Sequence, residues 1–553
     1  MMMLVICLGC FDANGHGVVQ TTPRFIAFPG RTGLERAIVG ACAGVIMLGI
    51  FRSLIAVIIL AIAATASMAQ ERGGRDGDRN NAHEDAGEQH EQNGHEQNAP
   101  GVLALLPGDS ITEHSIDLPS GKLAYTATAG TFALFDQSGE RSAQIFYNAF
   151  VAKSANTAAR PVTFVFNGGP GAASAFLNLG LVGPRIAQFG PDGRDGSKVR
   201  LTDNPDTWLA FTDLVLIDPV GTGWSRAAKP DAARGFWSVH SDAESMAKVV
   251  ALYVAKNGRA SSPKFILGES YGGFRAAKVG RLLQSERGIV ASGILMLSPT
   301  LETALRFALG DALQLPSLAA AELEREGAFS KEALAEAEHF ALTDYLTTLA
   351  GPPPQGAAAK SFYARVAKMT GLPVEAIARA NGFIPDAYVK SLEADSHKIV
   401  SHYDATFASD DPYPTSPVPR GPDPILDALV RAYGGAFVGY ARDELGFKTV
   451  MSYNLLAGDI AGKWDWEQGH GQASVDDDLR VLLALTPSFR LVVAHGYSDM
   501  VTPYAVSRYV LDHLPPFEGR ATLKLYRGGH MFYLDANSRK AFSADARAIY
   551  AAP

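Results

Sequence analysis

The sequence predicts an α/β protein with a mostly parallel central sheet and an inserted helical cap. Short, nearly continuous apolar runs, each bounded by glycine or proline, follow one another: PVTFVFNGG, DLVLIDPVG, KFILGES and GILMLSP. Such runs are typical of strands that are buried on both faces of a sheet. Helical stretches such as DAESMAKVVALYVAKNG and GGFRAAKVGRLLQSERG lie between them. This alternation favours a parallel sheet with helices on both faces.

The segment before these strands has the layout of a secretory signal peptide. Arg52 precedes the apolar run LIAVIILAIAATA, and the small-x-small site Ser67-Met68-Ala69 follows it. Residues 47–69 are therefore predicted to be a signal peptide. The apolar run is shorter than the roughly 20 residues that a membrane-spanning helix needs; an uncleaved anchor is the alternative. We expect a periplasmic or extracellular protein that keeps no stable membrane association after cleavage.

The flanks of this signal are not predicted to be folded modules. Residues 1–46 are interpreted as a start-site artefact, with Met47 as the natural start. Residues 70–100 are rich in Gly, Asn, Gln, Glu, Asp and His, so they predict a disordered polar linker. All three cysteines precede the predicted cleavage site, so the exported chain would contain no disulfide.

The folded part is predicted to be a core in two pieces around one insertion. Residues 101–300 hold the first piece, which begins with a hairpin formed by SGKLAYTATAG and SAQIFYNAFVA. Residues 481–553 hold the second, with the strand-like runs FRLVVAHG and ATLKLYRGG. Residues 301–480 are rich in helical segments and proline patches, show no buried strand pattern, and are predicted to be the helical cap.

A candidate nucleophile lies at the end of the run KFIL. The motif Gly268-Glu269-Ser270-Tyr271-Gly272 follows this strand and precedes a helix, which is the context of a nucleophile elbow. Glycines are needed there because the backbone turns sharply to expose the serine hydroxyl. Ser270 is therefore predicted to be the nucleophile, and a plain turn is the alternative.

A serine hydroxyl needs a base and an orienting carboxylate, and the last two strands supply both. Asp499 follows LVVAHG, and His530 follows LKLYRGG, so both are placed beyond the carboxyl ends of strands, where open α/β sheets hold their sites. Asp499 could instead cap a loop. His530 is better placed as the base than His495, which is interpreted as structural.

The oxyanion formed in acyl transfer needs backbone N–H donors. Asn167-Gly168-Gly169-Pro170-Gly171 follows the strand FVF and forms a glycine-rich loop in the expected position. In an elbow, the second donor is the N–H of the residue after the serine, Tyr271. Together these features predict the α/β-hydrolase fold.

In these motifs the sequence resembles the serine carboxypeptidases. The resemblance rests on FVFNGGPGAAS, DNPDTWLAFTDLVLIDPVGTGWS, GESYGG, GYSDMVTP and RGGHMF, in that order. It implies that Gly169 and Tyr271 form the oxyanion hole, and that Asn167 and Glu269 bind the terminal carboxylate of a peptide. It also implies catalysis without a metal or an organic cofactor, and peptide or protein C-termini as substrate.

Three positions depart from the family pattern. Ala172 stands where the family commonly has a cysteine, and Leu181 stands where it often has a glutamate that pairs with the one beside the nucleophile. Glu269 would then bind without a carboxyl partner, which leaves the pH optimum open. Gly273 also departs from the usual elbow, although a small residue there allows close helix packing.

Other functions stay open at this point. One alternative is an aminopeptidase like proline iminopeptidase, and another is an acyltransferase on the same fold. An alternative of another class is a catalytically inactive secreted binding protein, against which the intact Ser270, Asp499 and His530 argue. The net charge of −8 argues against a nucleic-acid partner. The oligomeric state does not follow from the sequence.

Overall fold

The computed structural model describes residues 101–551 apart from 155, 157, 191–192 and 468–472. The predicted start-site artefact, signal peptide and linker within residues 1–100 lie outside the described residues. In chain order the described strands are β1 (Ser110–Leu118), β2 (Gly121–Phe135), β3 (Arg141–Ala152), β4 (Val162–Phe166), β5 (Arg185–Phe189), β6 (Val199–Asp203), β7 (Asp213–Ile217), β8 (Arg226–Ala227), β9 (Lys264–Glu269), β10 (Gly293–Leu297), β11 (Lys398–Val400), β12 (Ala408–Asp410), β13 (Arg490–Gly496) and β14 (Ala521–Tyr526).

The central sheet has the order β1-β2-β3-β7-β4-β9-β10-β13-β14, and β8 pairs with β3 at the side. From β7 to β14 every neighbouring pair is parallel. At the other edge β1, β2, β3 and β7 are antiparallel, so the predicted hairpin is β2 and β3. The order and direction of the strands confirm the predicted α/β-hydrolase fold with its mostly parallel sheet.

The apolar runs form central strands because they can bury side chains on both faces. In β10, Ile294 and Met296 join the hydrophobic cluster on one face, while Leu295 and Leu297 join the cluster on the other. Each side chain of this size contributes about 1.5–3 kcal/mol when it is fully buried. A strand with only one apolar face could not stabilise this position in the sheet.

The described helices connect the strands and cover both faces. They are α1 (Ala175–Leu177), α2 (Val239–Lys256), α3 (Tyr271–Glu286), α4 (Phe307–Arg325), α5 (Lys331–Phe340), α6 (Leu346–Ala350), α7 (Gly356–Thr370), α8 (Val374–Arg379), α9 (Pro385–Ser391), α10 (Ala432–Asp443), α11 (Gly458–Lys463), α12 (Asp476–Leu485), α13 (Tyr504–Asp512) and α14 (Ala536–Tyr550). Helices α2 and α3 pack on one face of the sheet through Val250 and Phe274. Helices α10 and α14 pack on the other through Phe437 and Phe542.

Short 3₁₀ and π-helical turns complete the described structure. They are Val102–Leu105, Gly196–Lys198, Trp208–Ala210, Pro230–Phe236, Ala394–Ser396 and Phe532–Leu534 as 3₁₀ turns, and Asn178–Val182, Ala341–Tyr345 and Leu426–Val430 as π-helical turns. Over the described residues, no helix has both the length and the apolar character that crossing a bilayer requires.

The region between β10 and β13 is mainly helical and has a hydrophobic cluster of its own. Helices α4, α5 and α7 contribute Leu315, Phe340 and Val366 to it. The short antiparallel pair β11–β12 also lies in this region and has no counterpart in the sequence prediction. Toward the end of the region, Leu482 of α12 joins the cluster that covers the central sheet. The predicted cap limits of 301 and 480 stay predictions.

Candidate active site

The predicted site residues meet at the carboxyl ends of the parallel strands of the central sheet. Asn167 follows β4, Ser270 follows β9, Asp499 comes three residues after β13, and His530 comes four residues after β14. These strands are parallel to one another, so their carboxyl ends lie side by side. Segments that are far apart in the sequence are thereby brought to one place.

Ser270 lies on a strained turn between β9 and α3. Its backbone has φ 58° and ψ −126°, a conformation that residues other than glycine rarely adopt. A Cβ on Gly272 would lie only 2.4 Å from the carbonyl oxygen of Phe166, so the helix can start this close to β4 only with glycine there. The Ser270 N–H donates to the carbonyl of Leu297 at 2.9 Å, which anchors the turn to β10.

Asp499 and His530 form a buried hydrogen-bonded pair. The distance between His530 Nδ1 and Asp499 Oδ2 is 3.0 Å. The other carboxylate oxygen of Asp499 accepts the backbone N–H groups of Val501 at 2.8 Å and Thr502 at 3.0 Å. The carboxylate is therefore held in one orientation, with Oδ2 toward the imidazole. His530 and Ser270 line the same cavity.

The electrostatics of this pair favour an ionised Asp499. Burial by itself would raise the pKa of Asp499, but His530 and the hydrogen bonds of the carboxylate hold that pKa well below its usual range. Burial by itself would lower the pKa of His530, but Asp499 and then Glu269 raise it above its usual value. A carboxylate that stays charged beside an imidazole stabilises the imidazolium that forms when the ring accepts a proton.

His495 lies next to Asp499 but does not line this cavity. Its Nε2 is 2.8 Å from the hydroxyl oxygen of Ser507, and its Nδ1 is 3.7 Å from Asp499 Oδ2. The side chain is fully buried, and burial lowers the pKa of His495. A buried ring held in this way fits the structural role that the sequence suggested.

The glycine-rich loop packs directly against the start of α3. A Cβ on Gly168 would lie 2.5 Å from the backbone nitrogen of Tyr271, so only glycine permits this approach. The loop residues Gly168 and Gly169 line the cavity together with Ser270. The loop that carries the Gly169 N–H and the helix start that carries the Tyr271 N–H are therefore adjacent, as two oxyanion donors need to be.

Glu269 and Asn167 form a second buried pair beside the serine. Asn167 Nδ2 donates to Glu269 Oε2, and Asn167 Oδ1 accepts the N–H of Leu177 at 3.0 Å. The hydroxyl of Tyr533 donates to Glu269, at 2.9 Å from Oε1 and 3.1 Å from Oε2. Burial raises the pKa of Glu269 to about 7, although His530, Tyr533 and Asn167 each lower it.

The cavity at these residues has a volume of about 110 Å³. Its polar lining comes from the residues just described, and the rest of its wall is largely apolar. The apolar lining residues are Ala172, Phe176, Tyr403, Leu426, Leu456, Val501 and Met531. The cavity therefore places a polar end, Asn167 and Glu269, beside an apolar chamber.

Four residues that sequence reasoning missed support the site. The Thr502 hydroxyl oxygen is 2.9 Å from Asp499 Oδ2, and the Tyr403 carbonyl accepts the N–H of His530 at 2.6 Å. Buried Arg275 donates to the carbonyl of Asn167. Tyr533 is the fourth. Thr502 and Tyr533 each follow a predicted catalytic residue by three positions, which is the one signal available; Tyr403 lies in the region between β10 and β13 and gave none.

The three departures from the family pattern also have defined places. Ala172 forms an isolated β-bridge with Leu456, and Leu181 is fully buried in the turn Asn178–Val182. A Cβ on Gly273 would lie 2.6 Å from the Cβ of Pro299, so a glycine does permit close packing there. Within the described part of the chain, no group of three His, Cys, Asp or Glu side chains is placed to hold a metal ion.

Comparison with known proteins points to one family. The family model for serine carboxypeptidases matches residues 126–287, which include the glycine-rich loop, Glu269 and Ser270. No curated protein sequence matches the chain.

Solved structures show more distant likenesses. A prohormone-processing carboxypeptidase from Saccharomyces cerevisiae is 14% identical, with 77% of this chain and 90% of that chain covered and a TM-score of 0.49. A proline iminopeptidase from Mycobacterium smegmatis is 15% identical, with 76% and 97% covered and a TM-score of 0.33. A homoserine O-acetyltransferase from Bacillus anthracis is 9% identical, with 81% and 99% covered and a TM-score of 0.36.

These TM-scores are all below 0.5, so the likeness to a family rests on the matched segment alone. The resemblance to the serine carboxypeptidase family that the motifs indicated is thus confirmed over residues 126–287, the segment that holds the glycine-rich loop and Ser270.

Proposed function

We propose that the protein is a serine carboxypeptidase that releases C-terminal residues from peptides through an acyl-enzyme on Ser270. One observation carries this proposal: a single cavity contains Ser270, His530 and the pair Asn167 and Glu269. A nucleophile and base alone would suit many hydrolases. A buried amide and carboxyl directly beside the nucleophile suit a substrate whose carboxylate lies one residue from the bond that is cleaved.

In the proposed reaction Ser270 Oγ attacks the carbonyl carbon of the last peptide bond, and its proton passes to Nε2 of His530. The N–H groups of Gly169 and Tyr271 stabilise the oxyanion that forms. His530 then gives the proton to the leaving nitrogen, the C–N bond breaks, and the terminal amino acid departs. Water attacks the acyl-ester, with His530 again as base, and Ser270 is regenerated.

The terminal carboxylate would bind to Asn167 and to a protonated Glu269. A protonated carboxyl can donate a hydrogen bond to a carboxylate, whereas an ionised one would repel it. The position of Glu269, where burial raises the pKa to about 7, supports this form up to near-neutral pH. Carboxylate binding should therefore weaken as the pH rises above 7.

The apolar wall of the cavity supports a preference for apolar terminal side chains. Phe176, Leu426 and Met531 line it, and none of them can compensate a buried charge. Burying an unpaired charged group is costly. Terminal lysine, arginine, aspartate or glutamate should therefore be poor substrates, and the volume of about 110 Å³ favours small and medium aliphatic side chains.

Export to the periplasm or outside the cell is part of the proposal, and it rests on the signal-like sequence of residues 47–69. The proposed partners are peptide or protein C-termini. N-terminal sequencing of the protein recovered from outside the cytoplasm tests both the export and the cleavage after Ala69. Recovery of an uncleaved chain in the membrane fraction would contradict this part.

The activity is tested with a blocked dipeptide of two apolar residues that has a free C-terminus, beside the same compound amidated at that end. Wild type and Ser270→Ala are compared at pH 6. We expect release from the free acid alone, and loss of that release in Ser270→Ala, because only the free acid offers a carboxylate to Asn167 and Glu269.

The other outcomes separate the alternatives. Equal cleavage of both compounds would contradict carboxylate recognition, and release of the first residue from an unblocked peptide would favour an aminopeptidase. Transfer of the acyl group to an added alcohol or amine in preference to water would favour an acyltransferase. Failure of a fluorophosphonate to label Ser270 would favour an inactive binding protein.

A further inference from the structure

The carboxyl group of Glu269 is hydrogen-bonded to the phenol of Tyr533. The Tyr533 hydroxyl reaches both of its oxygens, at 2.9 Å and 3.1 Å, while Asn167 donates to Oε2. Glu269 is 3% exposed and Tyr533 is 0% exposed. Two donors from the protein thus fix the plane of a buried carboxyl group. Within the described structure, the side-chain hydrogen-bond partners of Glu269 are Asn167 and Tyr533, and neither carries a carboxyl group.

The backbone is shaped to admit the Tyr533 ring. A Cβ on Gly180 would lie 2.6 Å from Cε2 of Tyr533 and 2.9 Å from the hydroxyl oxygen of Tyr433. Gly180 belongs to the π-helical turn Asn178–Val182, which also holds Leu181. Because Gly180 has no side chain, the Tyr533 ring can pack against this turn. Gly180 directly precedes Leu181, the position at which the serine carboxypeptidase family often has a glutamate.

Several titratable groups face Glu269 from the surrounding elements. His530 and Asp499 act on it from the loops after β14 and β13, and Tyr533 acts on it from the turn Phe532–Leu534. Burial raises the pKa values of Tyr433 in α10 and Tyr403, which lies between β10 and β13, and nearby Glu269 raises them further. Asp499 opposes ionisation of Glu269, whereas protonated His530 favours it.

We propose that Tyr533 is a positioning residue for carboxylate recognition, whose hydroxyl orients Glu269 so that one exchangeable proton of that carboxyl faces the substrate. The inference rests on the proposed function. With Asn167 and Tyr533 donating to the carboxyl oxygens, the proton of Glu269 is the donor left for the substrate. The Tyr533 phenol and the Glu269 carboxyl together then present one proton to the substrate carboxylate, as two carboxyl groups that share a proton could.

This arrangement has a consequence that a purely structural tyrosine would not have. A hydrogen bond donated to a carboxylate stabilises the ionised form and lowers its pKa. Removing the Tyr533 hydroxyl should therefore raise the pKa of Glu269 and keep it protonated to higher pH. It should also weaken binding at low pH, because the carboxyl group is no longer held in its plane.

The test is to measure kcat and KM for the free-acid dipeptide between pH 5 and 9 in wild type and Tyr533→Phe. In wild type, KM should rise with pH through a single break near 7. In Tyr533→Phe, the break should move up by roughly one pH unit, the shift expected from the loss of one hydrogen bond to a charged group. At pH 5, KM should be about threefold to tenfold higher, and kcat should change less than KM.

Tyr433→Phe is the matched control, since Tyr433 is also a buried tyrosine beside Gly180 but is not among the hydrogen-bond donors to Glu269. It should leave the break near its wild-type position. Glu269→Gln should abolish the break, and adding Tyr533→Phe to it should cause no further change in pH dependence. Fluorophosphonate labelling of Ser270 verifies that each variant is folded.

The outcomes distinguish the two proposals. A wild type that cleaves the free acid and a Tyr533→Phe profile that coincides with it would overturn this inference and leave the carboxypeptidase standing. A shift of equal size in Tyr433→Phe would likewise overturn it. A wild type that releases no C-terminal residue would overturn both.

Discussion

Replacing Asp499 with asparagine tests how the site orients its base. Oδ1 of Asp499 accepts two backbone N–H groups, at 2.8 Å and 3.0 Å, and Oδ2 faces His530 Nδ1 at 3.0 Å. The amide oxygen of asparagine must take the Oδ1 position, because an NH₂ group cannot accept those two bonds. The NH₂ group therefore occupies the Oδ2 position and donates to Nδ1 of His530.

This exchange places the imidazole proton on the wrong nitrogen. If Nδ1 accepts a hydrogen bond, the proton of the neutral ring is on Nε2, and Nε2 cannot take the proton of Ser270. In serine hydrolases the same change of tautomer lowers kcat by about 10⁴-fold, which corresponds to ~5 kcal/mol in the activation barrier. We expect a loss of that order in kcat for Asp499→Asn, with a small change in KM.

The assay is release of the terminal residue from the free-acid dipeptide at pH 7, together with the rate of fluorophosphonate labelling. Asp404→Asn is the matched control. Asp404 is half-buried, and its Oδ1 accepts three hydrogen bonds, from the N–H and hydroxyl of Thr406 and the hydroxyl of Ser498, but none from His530. The Asp404→Asn variant should keep most of the wild-type kcat. If Asp499→Asn retained more than a tenth of wild-type kcat, another group would have to orient His530, and the reasoning would be refuted.

Three further predictions concern stability. Gly272→Ala should destabilise the fold by roughly 1–3 kcal/mol or more in chemical denaturation, since the new Cβ would lie 2.4 Å from the Phe166 carbonyl oxygen; a value near zero would contradict the close approach. Arg259→Ala should cost about 1.5–3 kcal/mol, because the buried carboxylate of Asp213 loses the guanidinium 2.7 Å away and keeps Arg160, at 2.8 Å, as its remaining ionic partner; an unchanged denaturation midpoint would refute this. Burial raises the pKa of Glu269 from 4.5 to about 7, so its contribution to stability is fully present below about pH 4.5 and is lost as the pH rises through 7. The stability of Glu269→Gln, measured in thermal melts, should therefore increase relative to that of wild type between pH 4.5 and 8, by a free energy on the order of 3 kcal/mol. Stability curves of the two proteins that run parallel over this pH range would contradict the prediction.

The part of the fold that the sequence predicts is the part where local pattern and burial agree. The strands β4, β7, β9 and β10 are apolar on both faces, so composition alone marks them. β1 was not predicted, because its side chains alternate between half-buried and exposed and only Ile116 is fully buried. The pair β11–β12 is three residues long in each strand, which is too short for a periodic signal.

The candidate site divides in the same way. Ser270, His530 and the glycine-rich loop each follow a predicted strand, and the topology of a parallel sheet then brings them together. No such rule predicts the positions of Tyr533 and Tyr403. Their positions beside Glu269 and His530 depend on how the cap and the last turn pack onto the core, and that packing is set by tertiary contacts that no local pattern encodes.

The insertion between β10 and β13 has a consequence for how the chain is made. More than two hundred residues separate Ser270 from Asp499, and β13 and β14 leave the ribosome after all the other described strands. Until they arrive, β10 forms an open edge of five buried apolar residues without its partner on one side. Open apolar edges attract other chains, and long-range parallel pairing is slow to form. A chain truncated before β13 would therefore be both inactive and prone to aggregate, so β13 and β14 must be synthesised before either the chemistry or the solubility of the product is secured.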